Sequence, residues 1–239
     1  MSSKEFVFEP SETISASIRG TAQRYPVKRI FCVGRNYMAH AAEMGTTVDK
    51  SKQEPFYFTK SATALVPSGS SVKYPPGTDN YHYEMELVVA IGKAGFEIDE
   101  ARAGDYIFGY ACGLDMTRRD LQLKARESGR PWDLGKDFEQ SAVLAPIVPV
   151  QEIVPVQDIG LIGSSKIELS VNGDIKQSSN TELLIWSVPE ILAHLSRFYH
   201  LAPGDLIYTG TPEGVGPVSA GDKIHGSIAG LADIELEIQ

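Results

Sequence analysis

The sequence predicts a strand-dominated α+β domain with few, short helices. Short β-type runs bounded by Gly, Pro, Asn and Asp recur from Arg29 to the C-terminus. Helical periodicity is clear in one segment only, Pro189–Tyr199. In KIELSVNGDIKQ, Asn172-Gly173 separates two alternating stretches, the strongest short-range hairpin signal. A doubly wound parallel sheet would alternate its strands with helices, and this chain does not.

Strands are expected at Arg29–Val33, Pro55–Phe58, Glu84–Ile91, Ile107–Leu114, Val143–Val148, Lys166–Val171, Leu206–Thr209, Lys223–Ser227 and Ile234–Ile238. Three helices are expected. Asn36–Glu43 starts at an Asn cap and ends at Gly45; Thr117–Ser128 stops at Gly129. Pro189–Tyr199 follows a capping box of Ser187 and Glu190, with Ile191, Leu192, Leu195 and Phe198 on one apolar face.

The 239 residues, 42% apolar and 22% charged, suffice for a full core and exclude a disordered, collagenous or coiled-coil chain. Residues 1–25 read as a short N-terminal extension packed on the core, and 26–239 as the catalytic domain. A net charge of −9 argues against nucleic acid or an anionic membrane as partner. Cys32 and Cys112 lie in separate apolar runs, without metal-type spacing, and read as buried reduced thiols. No apolar run approaches the ~20 residues of a membrane span. MSSKEFVFEPSETIS carries charges where a signal peptide needs its apolar core, so a cytoplasmic protein is expected.

The chemistry concentrates in HYEMELVVAI. Residues two apart share a face of a strand, so His82, Glu84 and Glu86 are expected to point one way. The following residues are apolar on both faces, as in a strand buried on both sides. Two carboxylates ~7 Å apart repel by roughly 2–2.5 kcal/mol at an effective dielectric of ~20, and desolvation adds several kcal/mol per ion. The pair must be protonated, matched by cations or given a metal, unless the strand keeps a solvated acidic face; no Lys or Arg adjoins it along that strand. Asp115 ends the run GYACGLD and is either a third ligand or the N-cap of the helix that follows. Three carboxylates without imidazole or thiolate suit Mg2+ before Mn2+ or Ca2+. The absence of H-E-x-x-H and of a Cys pair argues against zinc.

In GRNYMAHAAEMG, His40 and Glu43 are three apart on a helix and face the same way, as a general-base dyad or as a surface pair. Arg35 is a candidate anion clamp. Lys136, in PWDLGKDF, is able to offset the carboxylates, polarise a substrate oxygen, or stand in solvent. YTGTPEGVGP lacks both the P-loop and the dinucleotide pattern; it is a nest for a carboxylate, built on backbone amides and the Thr211 hydroxyl, or a plain Gly-rich loop. No G-x-S-x-G is present, which disfavours a serine hydrolase.

Taken together, GRNYMAHAAEMG, HYEMEL, GYACGLDMTRRDLQ with GRPWDLGK, VNGDIKQ and YTGTPEGVGP, in this order, resemble the fumarylacetoacetate hydrolase family in its short form. The likeness runs from about Arg29 to the C-terminus. It implies a mixed β-roll and Mg2+ (or Mn2+) held by Glu84, Glu86 and Asp115. It further implies a lid bearing His40 and Glu43 to activate water, and Lys136 supporting a developing enolate. Arg35, Tyr37, Gln122, Gly210 and Thr211 are implied on the substrate side. The implied activity is cleavage of a carbon–carbon bond in an acylpyruvate by a homodimer. YPVKRIFCVGRNYMAHAAEMG and LIWSVPEILAHLSRFYHLAPGD narrow this to fumarylpyruvate giving fumarate and pyruvate. Gln122 matches a position linked to oxaloacetate decarboxylation, the alternative; isomerisation or decarboxylation of hydroxydienoates comes after it. Two departures from the family pattern stand out: Tyr83 where a second His is common, and FTKSA, with Lys60, in place of F-x-K-P.

Overall fold

A computed structural model describes residues 6–153, 156–157 and 161–239. Its largest sheet has eight strands. Seven follow the order Phe56–Lys60, Arg29–Gly34, Asp205–Tyr208, Met85–Ile91, Ile107–Asp115, Ala142–Leu144 and Leu65–Pro67; Val148–Pro149 pairs with Ile107–Asp115 beside this path. Asp205–Tyr208 runs parallel to Arg29–Gly34, and Ala142–Leu144 parallel to Leu65–Pro67; the other neighbours are antiparallel. A five-stranded sheet has the order Asp174–Asn180, Lys166–Val171, Lys223–Ile228, Ile234–Ile238 and Ser70–Val72. Its hairpin turns at Asn172 (φ 53°) and Gly173 (φ 89°), two successive left-handed residues, as the Asn-Gly signal requires.

The central strands are buried on both faces, which is why their sequence does not alternate. Leu87, Val89 and Ile91 enter one core with Ile167 and Leu169 of the five-stranded sheet. Val88 and Ala90 enter a second core with Ile30, Cys32, Leu206, Tyr208 and the N-terminal Ala16, Ile18 and Tyr25. This strand-rich roll, with four short α-helices among the described residues, is the fold class the sequence predicts: α1 (Met38–Glu43), α2 (Arg119–Glu127), α3 (Asp133–Lys136) and α4 (Val188–Leu195).

Several boundaries differ from expectation, each for a physical reason. Asn36 does not cap α1: its amide accepts from Trp186 N (2.7 Å) and donates to Trp186 O (3.0 Å) and Thr209 O (2.8 Å), so Tyr37 becomes the N-cap. Thr117–Arg118 pairs with Tyr81–Tyr83 as a strand, and α2 starts only at Arg119. The α4 capping box of Ser187 and Glu190 is present, but the helix ends at Leu195 and Phe198 is 60% exposed. The expected strand Val143–Val148 is interrupted around Pro146, which has no N–H for the ladder. Glu84 breaks the expected strand Glu84–Ile91, separating Tyr81–Tyr83, in a three-stranded sheet, from Met85–Ile91, in the large one. The single turn α3 is too short to carry a periodic signal.

Candidate metal centre and active site

Strand register brings the carboxylates together. Glu86 lies opposite Gly113 and Met85 opposite Leu114, so the next position sets Glu84 opposite Asp115, whose N–H donates to Glu84 O at 2.9 Å. Glu86 and Asp115 thus share the sheet face of Val88 and Ala111. One oxygen each from Glu84, Glu86 and Asp115 lies within 4.8 Å of the others, and all three residues are buried. Asp115 is not the cap of α2. His82 is not a member of the cluster either: Arg119 stands between it and Glu84, and burial and that guanidinium hold its imidazole pKa down to about 4.

Three cations arrive from segments distant in sequence. Lys136 Nζ donates to Glu84 Oε2 (2.7 Å), Asp115 Oδ2 (2.6 Å) and Thr117 Oγ1 (2.7 Å), so all three of its N–H groups are engaged. Of the three readings open for this lysine, offsetting the carboxylates is the one realised. Arg119 Nη2 binds Glu84 Oε1, and its Nη1 donates to Gln122 Oε1 at 2.7 Å. Lys60 Nζ lies 2.9 Å from Asp115 Oδ1 and donates to Ser141 Oγ (3.0 Å) and to the Lys136 carbonyl.

The compensation is uneven. Burial pushes Glu84 up, but Lys136, Arg119 and His40 outweigh it and hold the carboxyl well below its ordinary range. Burial and the repulsion of Asp115 and Glu84 push Glu86 well above its ordinary value, against the Gly210 N–H and Lys136. Asp115 Oδ1 accepts no hydrogen bond, because the nearby Lys60 ammonium is out of alignment. An orphaned buried oxygen beside an under-compensated carboxylate, in an all-oxygen donor set, fits a hard divalent cation. Glu84, Glu86 and Asp115 could hold it.

Above the carboxylates sits α1. His40 Nδ1 lies 3.1 Å from Glu43 Oε2, which leaves Nε2 unengaged, and His40 lines a space of about 30 Å³ over Glu84, Glu86, Asp115 and Thr211. Such a volume holds an ion or a water molecule. His40 is thus buried over the carboxylates, while Glu43 stays at the surface. Gln122 and Arg35 line the same space. Tyr37 is buried with its hydroxyl unpartnered, and burial and the nearby Glu86 and Glu213 raise its phenol.

The glycine loop is a nest, but for the protein's own carboxylates. Gly210, at φ 100°, aims its N–H at Glu86 Oε2 (2.7 Å), so that hydrogen does not serve a substrate oxygen; Gly214 N donates to Glu43. Thr211 Oγ1 accepts from Gln177 Nε2 at 2.9 Å, which leaves its own hydrogen free to donate. Gln177 also accepts from Met85 N (3.0 Å) and donates to Pro212 O (2.8 Å), tying the loop to the carboxylate strand.

Lys60, Arg119 and Gln177 escaped the reading of the sequence as site residues. Arg119 left one trace: a cation in the first turn of a helix opposes the macrodipole and asks for another explanation. Lys60 stands in the sequence only as the lysine of FTKSA, where Ser61 replaces the Pro of F-x-K-P.

The family described as Fumarylacetoacetate (FAA) hydrolase C-terminal matches residues 29–239. The chain is 60% identical over 195 residues to a fumarylpyruvate hydrolase of Ralstonia sp, covering 82% of this chain and 98% of that one. It is 42% identical over 212 residues to mouse (Mus musculus) mitochondrial oxaloacetate tautomerase FAHD1, covering 89% and 92%. Among solved structures, the fumarylpyruvate hydrolase of Pseudomonas aeruginosa in complex with Mn2+ and pyruvate superposes with a TM-score of 0.91 at 47% identity, over 98% of this chain and 99% of that one.

Proposed function

The chain belongs to the fumarylacetoacetate hydrolase family, and from that premise we propose that it is a Mg2+-dependent hydrolase of acylpyruvates, cleaving fumarylpyruvate to fumarate and pyruvate. The observation that carries this reading is the His40–Glu43 pair standing over three convergent buried carboxylates. Glu84, Glu86 and Asp115 are the ligands in this reading, with Mn2+ as the alternative ion. When bound, the ion supplies Lewis-acid polarisation and an anchor for the keto-acid end of the substrate.

The remaining work falls to the chain. Glu43 fixes the imidazole so that His40 Nε2 takes a proton from water, whose oxygen adds to the acyl carbonyl. The bond between that carbonyl and the methylene carbon of the pyruvyl unit breaks, and its electron pair passes to the pyruvate enolate. His40 returns the proton to the methylene carbon, giving pyruvate and the free acid. Lys136 acts on the enolate through its charge, since its N–H groups are already engaged. The free Thr211 hydroxyl hydrogen and the guanidinium of Arg35 are the donors for substrate oxygens, and Gln122 borders them; Tyr37, which does not line this space, is carried by the family likeness alone.

A homodimer in the cytoplasm completes the proposal. Phe198 and Tyr199, exposed at 60% and 44%, offer an apolar surface of the kind a dimer covers. Among the described residues no helix is long and apolar enough to cross a membrane.

Oxaloacetate is the second reading, favoured by the relative from mouse and by Gln122 on the cavity wall. Neither its decarboxylation nor its keto–enol interconversion needs an attacking water. Mg2+-dependent turnover of fumarylpyruvate, acetylpyruvate and oxaloacetate, measured side by side, tests the proposal. Fumarylpyruvate should be favoured; if oxaloacetate alone is turned over, the hydrolase reading falls.

A further inference from the structure

The space over the carboxylates, about 30 Å³, has no room for an acyl arm. It adjoins a second cavity of about 400 Å³, and Arg35, Phe58, Arg126, Trp132 and Lys136 line both. A group leaving the first space along these shared walls enters the second.

The chemistry of this second cavity is specific. Phe56, Phe58 and Trp132 form an aromatic wall, with Phe56 and Trp132 edge-on at 4.9 Å between ring centroids. Arg35 Cζ lies 5.9 Å from the centroids of both Phe56 and Trp132, which fixes the guanidinium while leaving its N–H edge free. Arg126 and Arg130 line the same cavity; Arg126 Nη1 donates to Met44 O at 3.0 Å, and Arg130 stands at the exposed mouth. Every arginine ion pair among the described residues belongs to Arg19, Arg29, Arg102, Arg119 or Arg197. Three arginines thus share one cavity without an acidic partner, in a chain of net charge −9. Asp133 is the one carboxylate on that wall and pairs with none of them.

Charge balance points the same way. Lys60, Lys136 and Arg119 equal Glu84, Glu86 and Asp115 in number, although none of them pairs with Glu86, so a divalent cation leaves two positive charges over at the centre. A substrate with one carboxylate lowers that excess, and Arg35, Arg126 and Arg130, against Asp133 alone, add positive charge that a second carboxylate would offset.

We infer that this cavity takes the acyl arm of the substrate, and that Arg126 and Arg130, with Arg35, bind a carboxylate at the far end of that arm. The preferred substrates are then acylpyruvates with a flat, dicarboxylic acyl group. The assignment rests on the acylpyruvate reading above and adds the end of the molecule away from the ion.

The test compares kcat/KM for fumarylpyruvate and acetylpyruvate in the parent protein, Arg126→Gln and Arg130→Gln. Calorimetric binding of fumarate to the Mn2+-loaded, pyruvate-saturated protein accompanies it. Charge-assisted hydrogen bonds of this kind predict that the fumarylpyruvate-to-acetylpyruvate ratio falls about 10–100-fold in each variant, with a similar weakening of fumarate binding. Arg130 is exposed, so its variant answers even if Arg126→Gln disturbs the Met44 segment. A ratio within about 2-fold of the parent in both variants overturns the inference, as does an equal loss on both substrates, which would put the arginines at the pyruvyl end. If the parent hydrolyses neither acylpyruvate, the functional reading has failed, and fumarate binding alone decides the cavity: weaker binding in the variants upholds it and unchanged binding ends it.

Discussion

Gly214 donates its backbone N–H to Glu43, at 3.1 Å from Oε1, while the other oxygen of that carboxylate holds His40 Nδ1 at 3.1 Å. One side chain therefore orients the His40 imidazole and docks its helix on the glycine loop. His40→Ala should lower kcat by about 10²–10⁴-fold, and Glu43→Gln by a smaller factor because the amide still accepts from Gly214. Mn2+ affinity, read by calorimetry, should stay near the parent value in both. Parent-like kcat in His40→Ala would remove the base assignment.

Removing divalent ions with EDTA should abolish turnover, and Mg2+ or Mn2+ should restore it. A ligand at about 100 times its Kd stabilises the folded state by ~2.7 kcal/mol, so the ion should also raise Tm. Glu86→Gln should lose both responses. Without metal, however, this variant should melt no lower than the parent, since it removes a buried repulsion and keeps an acceptor for Gly210. A normal metal-induced Tm shift in Glu86→Gln would exclude it as a ligand.

Arg119→Leu leaves Glu84 with one cation fewer in a buried site. Breaking such a pair from one side costs about 3–5 kcal/mol, read as a lower denaturant midpoint at unchanged slope. A loss under about 1 kcal/mol would mean that Lys136 suffices alone.

The start of α4 carries a pH signature. Burial raises the Glu190 carboxyl, but bonds from Lys50 and from Ser187 N and Oγ outweigh it and hold the pKa below the ordinary value. A carboxyl with a lowered folded pKa contributes fully above its unfolded value and loses that contribution as pH falls through the folded one. Thermal melts of the parent and Glu190→Gln should therefore differ near neutrality and converge in acid. A gap independent of pH would rule out this linkage.

The sequence made the central strands and the carboxylates legible, because the short run Leu87–Ile91, apolar on both faces and rich in β-branched residues, reads as a buried strand, with Glu86 on it and Glu84 just ahead of it. What it hid was compensation. Lys60, Lys136 and Arg119 reach the cluster from Phe56–Lys60, α3 and α2, and local spacing says nothing about which cation crosses to which carboxylate. The start of α1 was misread for a similar reason: Asn36 has the chemistry of a cap, and its tertiary partners Trp186 and Thr209 outbid the helix. The loop Gly210–Gly214 read as open to a ligand because the carboxylates occupying its amides lie far away in sequence.

Glu86 and Asp115 stand on two hydrogen-bonded strands inside the large sheet and Glu84 directly precedes one of them, whereas Gly129, Arg130, Pro131 and Trp132 belong to the surface connection between α2 and α3. Connections of that kind accept substitution and insertion far more readily than paired strands do. A lineage built on this scaffold can therefore drift toward shorter, longer or uncharged acids by altering four consecutive positions, while the reaction centre is inherited intact.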